Sequence, residues 1–195
     1  MKNLFAITFL IFSTASISSA QETHFGLKAG INSSSLKIAN GTDYESKTGL
    51  HIGGLAHIHV KKHFAVQPEL MFSMQGGKRN DNNKLKLNYL NLPVLLQYMF
   101  DEGFRLQTGP QIGFMVSAEQ TIGDVDVDVS DTFSSVDFSW VFGAGYLFHS
   151  GFGLDVRYNL GINDISDDNN FEARNRVLQA GVFYQFMHKK ATKHK

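Results

Sequence analysis

The chain contains no cysteine, only three prolines, no excess of either charge and, after its first residues, no long apolar run. Without cysteine it forms no disulfide, thiolate nucleophile, Cys-ligated zinc site or N-terminal lipoprotein anchor. A formal net charge of zero gives no general attraction to nucleic acid. No later segment approaches the roughly 20 apolar residues of a membrane-spanning helix. What remains is a 195-residue chain long enough for one domain.

The first 20 residues have the pattern of a secretory signal peptide. Lys2 supplies the positive end, residues 4–12 supply an apolar stretch, and residues 18–20 (Ser-Ser-Ala) supply a cleavage site. The apolar stretch is too short to span a membrane as a helix, which argues against an uncleaved anchor. We therefore expect residues 1–20 to be removed.

The rest of the chain alternates between apolar and polar residues in about eight stretches. In the clearest one, residues 64–75, Phe72 and its even-numbered neighbours are apolar, whereas Glu69 and most odd-numbered neighbours are polar. Successive side chains of a strand point to opposite faces, so this pattern predicts a strand with one apolar and one mostly polar face. Similar stretches lie near residues 25–32, 49–60, 85–98, 104–116, 137–148, 152–161 and 178–186.

The fourth stretch changes its parity. Leu85, Leu87 and Tyr89 share one parity, and the apolar residues from Leu90 to Tyr98 share the other. A switch of this kind within one apolar run indicates a β-bulge or a change in pairing near Tyr89.

Short connections between the stretches alternate with longer ones. Tight turns are expected at residues 61–63, 101–103 and 149–151, and longer polar loops near 37–48, 76–84, 117–135 and 163–173. Outer-membrane barrels have short periplasmic turns and longer extracellular loops. We predict an all-β fold, a closed eight-stranded antiparallel transmembrane β-barrel over residues 21–187, with both termini periplasmic and a basic tail at 188–195.

Composition indicates which face meets lipid. A soluble lipocalin-like barrel would carry many Lys and Glu residues outside. Here the polar face is mostly Gly, Gln, Asn and Ser, which suits a narrow interior, and the apolar face carries aromatic residues near the strand ends, as at outer-membrane interfaces. The charges on the polar face are Lys28, Glu69, Arg105, Asp155 and Arg157. This composition favours the outer membrane over a soluble barrel.

Several motifs resemble the PorT-like outer-membrane β-barrel family of Bacteroidota-type bacteria. They are GLKAGIN at 26–32, QPEL at 67–70, YLNLPVLLQY at 89–98, GPQIG at 109–113 and LDVRY at 154–158. The resemblance implies an eight-stranded outer-membrane barrel. The family's namesake takes part in protein secretion and gliding, but no motif here carries that role over. The segment GVFYQF at 181–186 is similar to the terminal-strand signal read by the barrel assembly machinery, although residues 187–195 follow it.

Three histidines share the polar face of the second stretch: His51, His57 and His59. The spacing of the last two brings both imidazoles to one side, as metal ligands require. No carboxylate or further histidine is close to them in sequence. We expect hydrogen-bonded histidines inside the barrel, with metal binding as the alternative.

An acidic segment occupies the longest predicted loop, at residues 119–131. Its aspartates are Asp124, Asp126, Asp128 and Asp131. Such oxygen clusters suit Ca²⁺ or Mg²⁺, but Val129 stands where an EF-hand loop requires Gly. Alternating valines favour a hairpin above the bilayer with its aspartates facing water, and loose divalent-cation binding remains the alternative.

Glu69, Arg105, Asp155 and Arg157 are expected to pair across the interior rather than to form a catalytic centre, because they lie at mid-strand heights. We therefore expect no enzyme, no catalytic residues and no cofactor. An eight-stranded barrel is filled by side chains, so an open pore is not expected. The expected role is structural or interaction-based. Expected partners are outer-membrane lipid and lipopolysaccharide, the barrel assembly machinery and an unknown protein at the loops; a secretion component, narrow channel or outer-membrane enzyme is the alternative.

A gel comparing boiled and unboiled samples of the membrane fraction tests this fold. The protein should fractionate with the outer membrane and migrate as a compact species until it is heated, because a closed barrel resists detergent. A soluble product whose migration is indifferent to heating would contradict the prediction.

Overall fold

A computed structural model describes residues 22–39, 43–80, 82–123, 125–166 and 172–186. Most of these residues are in β-strands. The strands are β1 (Thr23–Ala39), β2 (Tyr44–Lys61), β3 (Phe64–Asn80), β4 (Asn83–Met99), β5 (Phe104–Ile122), β6 (Val125–Asp128), β7 (Val136–Leu147), β8 (Phe152–Gly161) and β9 (Glu172–Gln185). In this part of the chain no helix has the length and apolarity to cross a bilayer. The predicted signal peptide and basic tail lie outside the described residues.

Eight of these strands form a closed antiparallel ring. Neighbours follow the chain order from β1 to β5, continue through β7, β8 and β9, and close where β9 pairs with β1. Along this closing seam Gly26 lies opposite Gln185, and Ala39 lies opposite Glu172. A closed ring leaves no sheet edge in lipid, where unpaired backbone groups would be costly. The predicted eight-stranded barrel is confirmed.

The apolar face points outward and the polar face points inward. Phe72, Trp140 and Tyr158 are 38%, 39% and 38% exposed, whereas Lys28 and Arg157 are 2% and 4% exposed. Bulky apolar side chains on the outside of a closed sheet require an apolar solvent, which the acyl chains of a bilayer provide. The sheet therefore has the orientation that its composition predicted.

Aromatic residues surround the rim that carries the tight turns. Phe64 packs edge-on against Tyr98 with ring centroids 5.1 Å apart, and Tyr146 packs against Phe148 at 4.9 Å. Such rings form the girdle found at a membrane interface. Glycines permit two of the turns, since Gly103 has a φ of 91° and Gly151 a φ of 86°. Both ends of the described chain lie at this rim, which is the periplasmic side in outer-membrane barrels.

The predicted long loops are largely strand. β1 continues to Ala39 before β2 begins at Tyr44, and β3 continues to Asn80 before β4 begins at Asn83. The prediction of long irregular loops near 37–48 and 76–84 is therefore wrong. Polar composition does not end an antiparallel ladder that continues into water, because its backbone groups remain paired.

The pairing of β4 with β5 shifts between Asn88 and Tyr89, where a change was predicted. The additional residue, however, is Val116 of β5, because Asn88 lies opposite Ser117 and Tyr89 opposite Met115. β4 itself alternates without interruption, so Leu85 and Leu87 point inward like Tyr89. The bulge belongs to β5, and the apolar residues at the start of β4 face the lumen.

A charged substitution at the middle of the lipid-facing surface should destabilise the barrel. Val156 is the central outward residue of β8 and is 53% exposed. Val156→Arg should lower the free energy of unfolding in vesicles by about 2 to 4 kcal/mol, because an Arg at the bilayer midplane is poorly solvated.

The matched control is Thr48→Arg, at a position opposite Ser33 and above the apolar band. Both variants are unfolded with urea in vesicles, and Thr48→Arg should lower the free energy of unfolding by about 0 to 1 kcal/mol. Equal costs at the two depths would contradict a lipid-facing outer surface.

Candidate functional site

The middle of the lumen is crossed by an ion pair. Arg157 of β8 donates from both terminal nitrogens to the two carboxylate oxygens of Glu69 on β3, each at 2.6 Å. These strands lie on opposite sides of the ring, and the two side chains are 4% and 0% exposed. A bidentate guanidinium–carboxylate pair therefore spans the barrel from wall to wall.

A second carboxylate completes this charged layer. The Nε atom of Arg157 lies 2.7 Å from Asp155 Oδ2, and Lys28 of β1 forms an ion pair with the same carboxylate. Buried charges are tolerated when they are paired and hydrogen-bonded. Glu69, Asp155 and Arg157 were predicted to pair, and the structure adds Lys28 to that group.

Amide side chains fill the remaining space around these charges. Gln107 accepts from Arg157 at 3.2 Å and receives a hydrogen bond from Gln97 at 2.9 Å. On the other side, Gln67 donates to Glu69 at 2.6 Å. An amide group carries both donors and acceptors, so it can satisfy either partner of an ion pair in a narrow interior.

Arg105 is the exception among the predicted interior charges. Its guanidinium carbon lies 5.5 Å from the ring centroid of Phe183, and its Nε and Nη1 atoms have no hydrogen-bond partner. The ring is accommodated by Gly153, where an added Cβ would come within 2.2 Å of Phe183 Cζ. Arg105 is thus held by a cation–π contact towards the periplasmic end.

The extracellular end of the lumen is closed by an apolar plug. Its buried members are Leu36, Leu85, Leu87, Tyr89, Ala118, Ile165 and Ala173. They come from β1, β4, β5, β9 and the β8–β9 connection, so the plug extends across the mouth. Apolar side chains packed in this position cover the polar layers beneath them.

The three histidines of β2 do not form a single cluster. His51 donates to Asn32 at 2.7 Å, while His57 donates to Gln67 at 3.2 Å. His59 packs edge-on against His57, with ring centroids 4.6 Å apart, and also against His24 at 5.7 Å. In the described part of the chain, no group of three or more His, Asp or Glu side chains is arranged to hold a metal ion.

The acidic segment forms the hairpin of β5 and β6. Asp126 accepts hydrogen bonds from Lys86 at 3.0 Å and from Thr121 at 2.5 Å, and these contacts hold the pKa of Asp126 below its usual range. Asp128 accepts from the Ser130 amide at 2.9 Å. Asp124 lies outside the described residues. The alternating hairpin is as predicted, but the Asp126 carboxylate is engaged within the protein.

Residues 18–167 match the family of the outer membrane protein beta-barrel domain, and this match covers well over half of the chain. The chain belongs to this family. Its members are barrels of the outer membrane, which agrees with the closed sheet, the apolar exterior and the polar lumen described above. The location of this barrel is therefore the cell outer membrane.

Solved structures show the same fold. The barrel is similar to neisserial surface protein A (NspA), with 16% identity and a TM-score of 0.62 over 83% of this chain and 97% of that one. It is also similar to Ail, the attachment invasion locus protein of Yersinia pestis, with 15% identity and a TM-score of 0.53 over 85% and 99% of the two chains. At these identities the similarity establishes the fold. The comparison with curated proteins gives no match.

Sequence reasoning missed two parts of this outer-membrane barrel. It did not place His24 beside the other histidines, although the β1–β2 register sets His24 directly opposite His57. It also did not find the plug, because Leu85 and Leu87 have the same hydropathy as lipid-facing leucines. The register of the β1–β2 hairpin could have placed His24, and the unbroken alternation of β4 could have revealed the plug.

Removing one partner of the central ion pair should destabilise the barrel. Glu69→Gln leaves the Arg157 guanidinium buried without its main counter-charge and should cost about 3 to 5 kcal/mol of unfolding free energy. The Glu69→Gln/Arg157→Gln double variant should lose less than the sum of the two single variants, by about 0.5 to 3 kcal/mol.

Urea titration of the wild type, the two single variants and the double variant in vesicles measures this coupling. Gln120→Ala, above the membrane on β5, serves as a control with a small effect. Strictly additive losses would show that the pair does not couple across the lumen.

Proposed function

We propose that this protein acts in the outer membrane through its outer surface and its extracellular hairpins, in a structural or interaction role without an open pore. One observation carries the proposal: the lumen is crossed by the Arg157–Glu69 pair and covered by the apolar plug. An eight-stranded ring is just wide enough to be filled by side chains, so this filling supports a barrel without an open pore.

The hairpins that rise above the membrane support an interaction role. β1 to β5 have 17 to 19 residues each, whereas β7 and β8 have 12 and 10. About 10 residues suffice to cross the apolar band, so one side of the ring extends well beyond it. Paired strands hold this wall rigid, which lowers the entropic cost of presenting it to a protein partner.

Catalysis is not part of the proposal. The carboxylates of Glu69 and Asp155 are engaged by Arg157 and Lys28 deep in the filled lumen. A catalytic carboxylate or histidine needs a neighbouring space that a substrate can enter. We therefore propose a non-enzymatic protein.

The finer family assignment and the partners are also proposals. The segment YLNLPVLLQY at 89–98, within β4, supports placement among the PorT-like barrels. Aromatic residues alternate at Tyr184 and Phe186, where β9 ends at the closing seam, which supports recognition by the barrel assembly machinery during insertion. The outward apolar surface supports contact with outer-membrane lipid and lipopolysaccharide.

Solute flux through reconstituted vesicles tests the closed lumen. The protein should pass neither ions nor small sugars at a rate above that of protein-free vesicles, because the charged layer and the plug block the path. A general porin in the same vesicles provides the positive control. Sustained conductance by the folded wild-type protein would overturn the proposal in favour of a narrow channel.

A further inference from the structure

A narrow pocket lined by polar side chains lies in the upper lumen, beside the apolar plug. Gln75 lies opposite Leu87 of the plug, and Asn175 lies opposite Leu36 of the plug. The space between the lining side chains is too narrow for a water molecule. Most of these side chains carry an oxygen atom, namely those of Gln75, Gln111, Asp137, Ser139, Asn159 and Asn175. The pocket therefore gathers oxygen atoms next to an apolar surface.

Asp137 brings a buried carboxylate into this pocket without a counter-charge. The residue is 5% exposed, its Oδ2 atom accepts a hydrogen bond from Asn175 Nδ2 at 3.3 Å, and its Oδ1 atom has no partner. In the described part of the chain no Lys, Arg or His forms an ion pair with Asp137, and the cations of the charged layer pair with other carboxylates. The ammonium of Lys47 donates instead to the backbone carbonyl of Gln75, at 3.2 Å. A buried carboxylate is costly unless a cation or a proton neutralises it.

Two amide oxygens in the same pocket also lack a partner. Asn175 donates from Nδ2 to Asp137 and to Gln75 Oε1, which fixes the direction of its amide group and leaves its Oδ1 atom without a hydrogen bond. Asn159, on the neighbouring strand β8, has no partner at either Oδ1 or Nδ2. Both asparagines are 2% exposed, and a polar group at this depth costs free energy unless it is bonded. One carboxylate oxygen and two amide oxygens are thus available to a ligand.

The charge and the size of the pocket favour Na⁺. Carboxylate and amide oxygens are the ligands that hard cations prefer. One carboxylate with neutral amides carries a single negative charge, which a monovalent cation neutralises and a divalent cation exceeds. Mg²⁺ keeps several of its waters, for which this pocket has no room. A bare Na⁺ ion is smaller than a water molecule, whereas K⁺ is about as large as one, so the narrow space favours Na⁺.

We propose that Asp137, Asn159 and Asn175 bind one Na⁺ ion in the upper lumen. Asp137 Oδ1 supplies the charge, and the Oδ1 atoms of the two asparagines are the neutral ligands. The ion joins β7, β8 and β9 beside the plug. This site does not depend on the structural or interaction role proposed above, and an ion held there requires no open pore.

Urea unfolding in phosphatidylcholine vesicles tests the site. The wild type is compared in NaCl and in N-methylglucamine chloride of the same ionic strength. Its free energy of unfolding should rise with the Na⁺ concentration, because an ion that binds only the folded protein stabilises it by mass action. Asp137→Asn keeps the shape of the side chain and removes its charge, so this variant should lose the dependence on Na⁺.

Two further variants give the controls. Asp101→Asn removes an exposed carboxylate at a periplasmic turn, where Asp101 pairs with Lys62, and should keep the response of the wild type. Asn159→Ala removes one neutral ligand and keeps Asp137, so it should need about tenfold more Na⁺ for the same stabilisation. This variant also covers the case in which Asp137→Asn fails to fold.

Three results would overturn the proposal. The first is an equal stability of the wild type in the two salts, which would show that Asp137 is neutralised by a proton. The second is an Asp137→Asn variant that responds to Na⁺ like the wild type. The third is an equal stabilisation by CaCl₂ at a far lower concentration than NaCl, which would assign the pocket to a divalent cation.

Discussion

The interior of this barrel depends on one ion pair, between Arg157 and Glu69, that joins opposite walls. Neither group would be tolerated alone at this depth, because an isolated buried charge costs many kcal/mol. The bidentate geometry offsets that cost, Asp155 forms a second ion pair with the same guanidinium, and the surrounding glutamines hydrogen-bond to both partners. The amides and small residues that line the wall follow from this layer, since they are what fits beside it in a ring of eight strands.

The same strands meet three different surroundings. In the membrane they present apolar side chains to acyl chains and polar ones to the lumen, and above it the outward side chains meet water while the backbone ladder continues. At the upper end of the lumen the inward side chains of β4 become apolar and pack with Leu36 and Ile165. The polar layers are thus covered from above by side chains of the strands that create them.

The sequence was sufficient for the alternation, the direction of each face and the closure of eight strands, because a period of two is a local property. The sequence did not indicate which side chains contact each other inside the lumen, because Arg157 lies 88 residues from Glu69 and no local pattern links them. Leu85, Leu87 and Tyr89 were misjudged for a related reason, since hydropathy cannot distinguish a lipid-facing leucine from one in an apolar plug. The upper hairpins were mistaken for loops because their polar residues resemble loop residues, whereas the ladder depends on backbone pairing.

The placement of charges also specifies the register of the sheet. Along β8, Arg157 lies between the lipid-facing residues Val156 and Tyr158. A slip by one residue would turn Asp155 and Arg157 into the acyl chains and move the intervening apolar residues into the polar lumen. The displaced arginine at mid-membrane costs on the order of 2 to 4 kcal/mol and the displaced aspartate less, before the loss of the central ion pair is counted. The lumen network and the lipid therefore favour the same register, because a shifted register is destabilised by both.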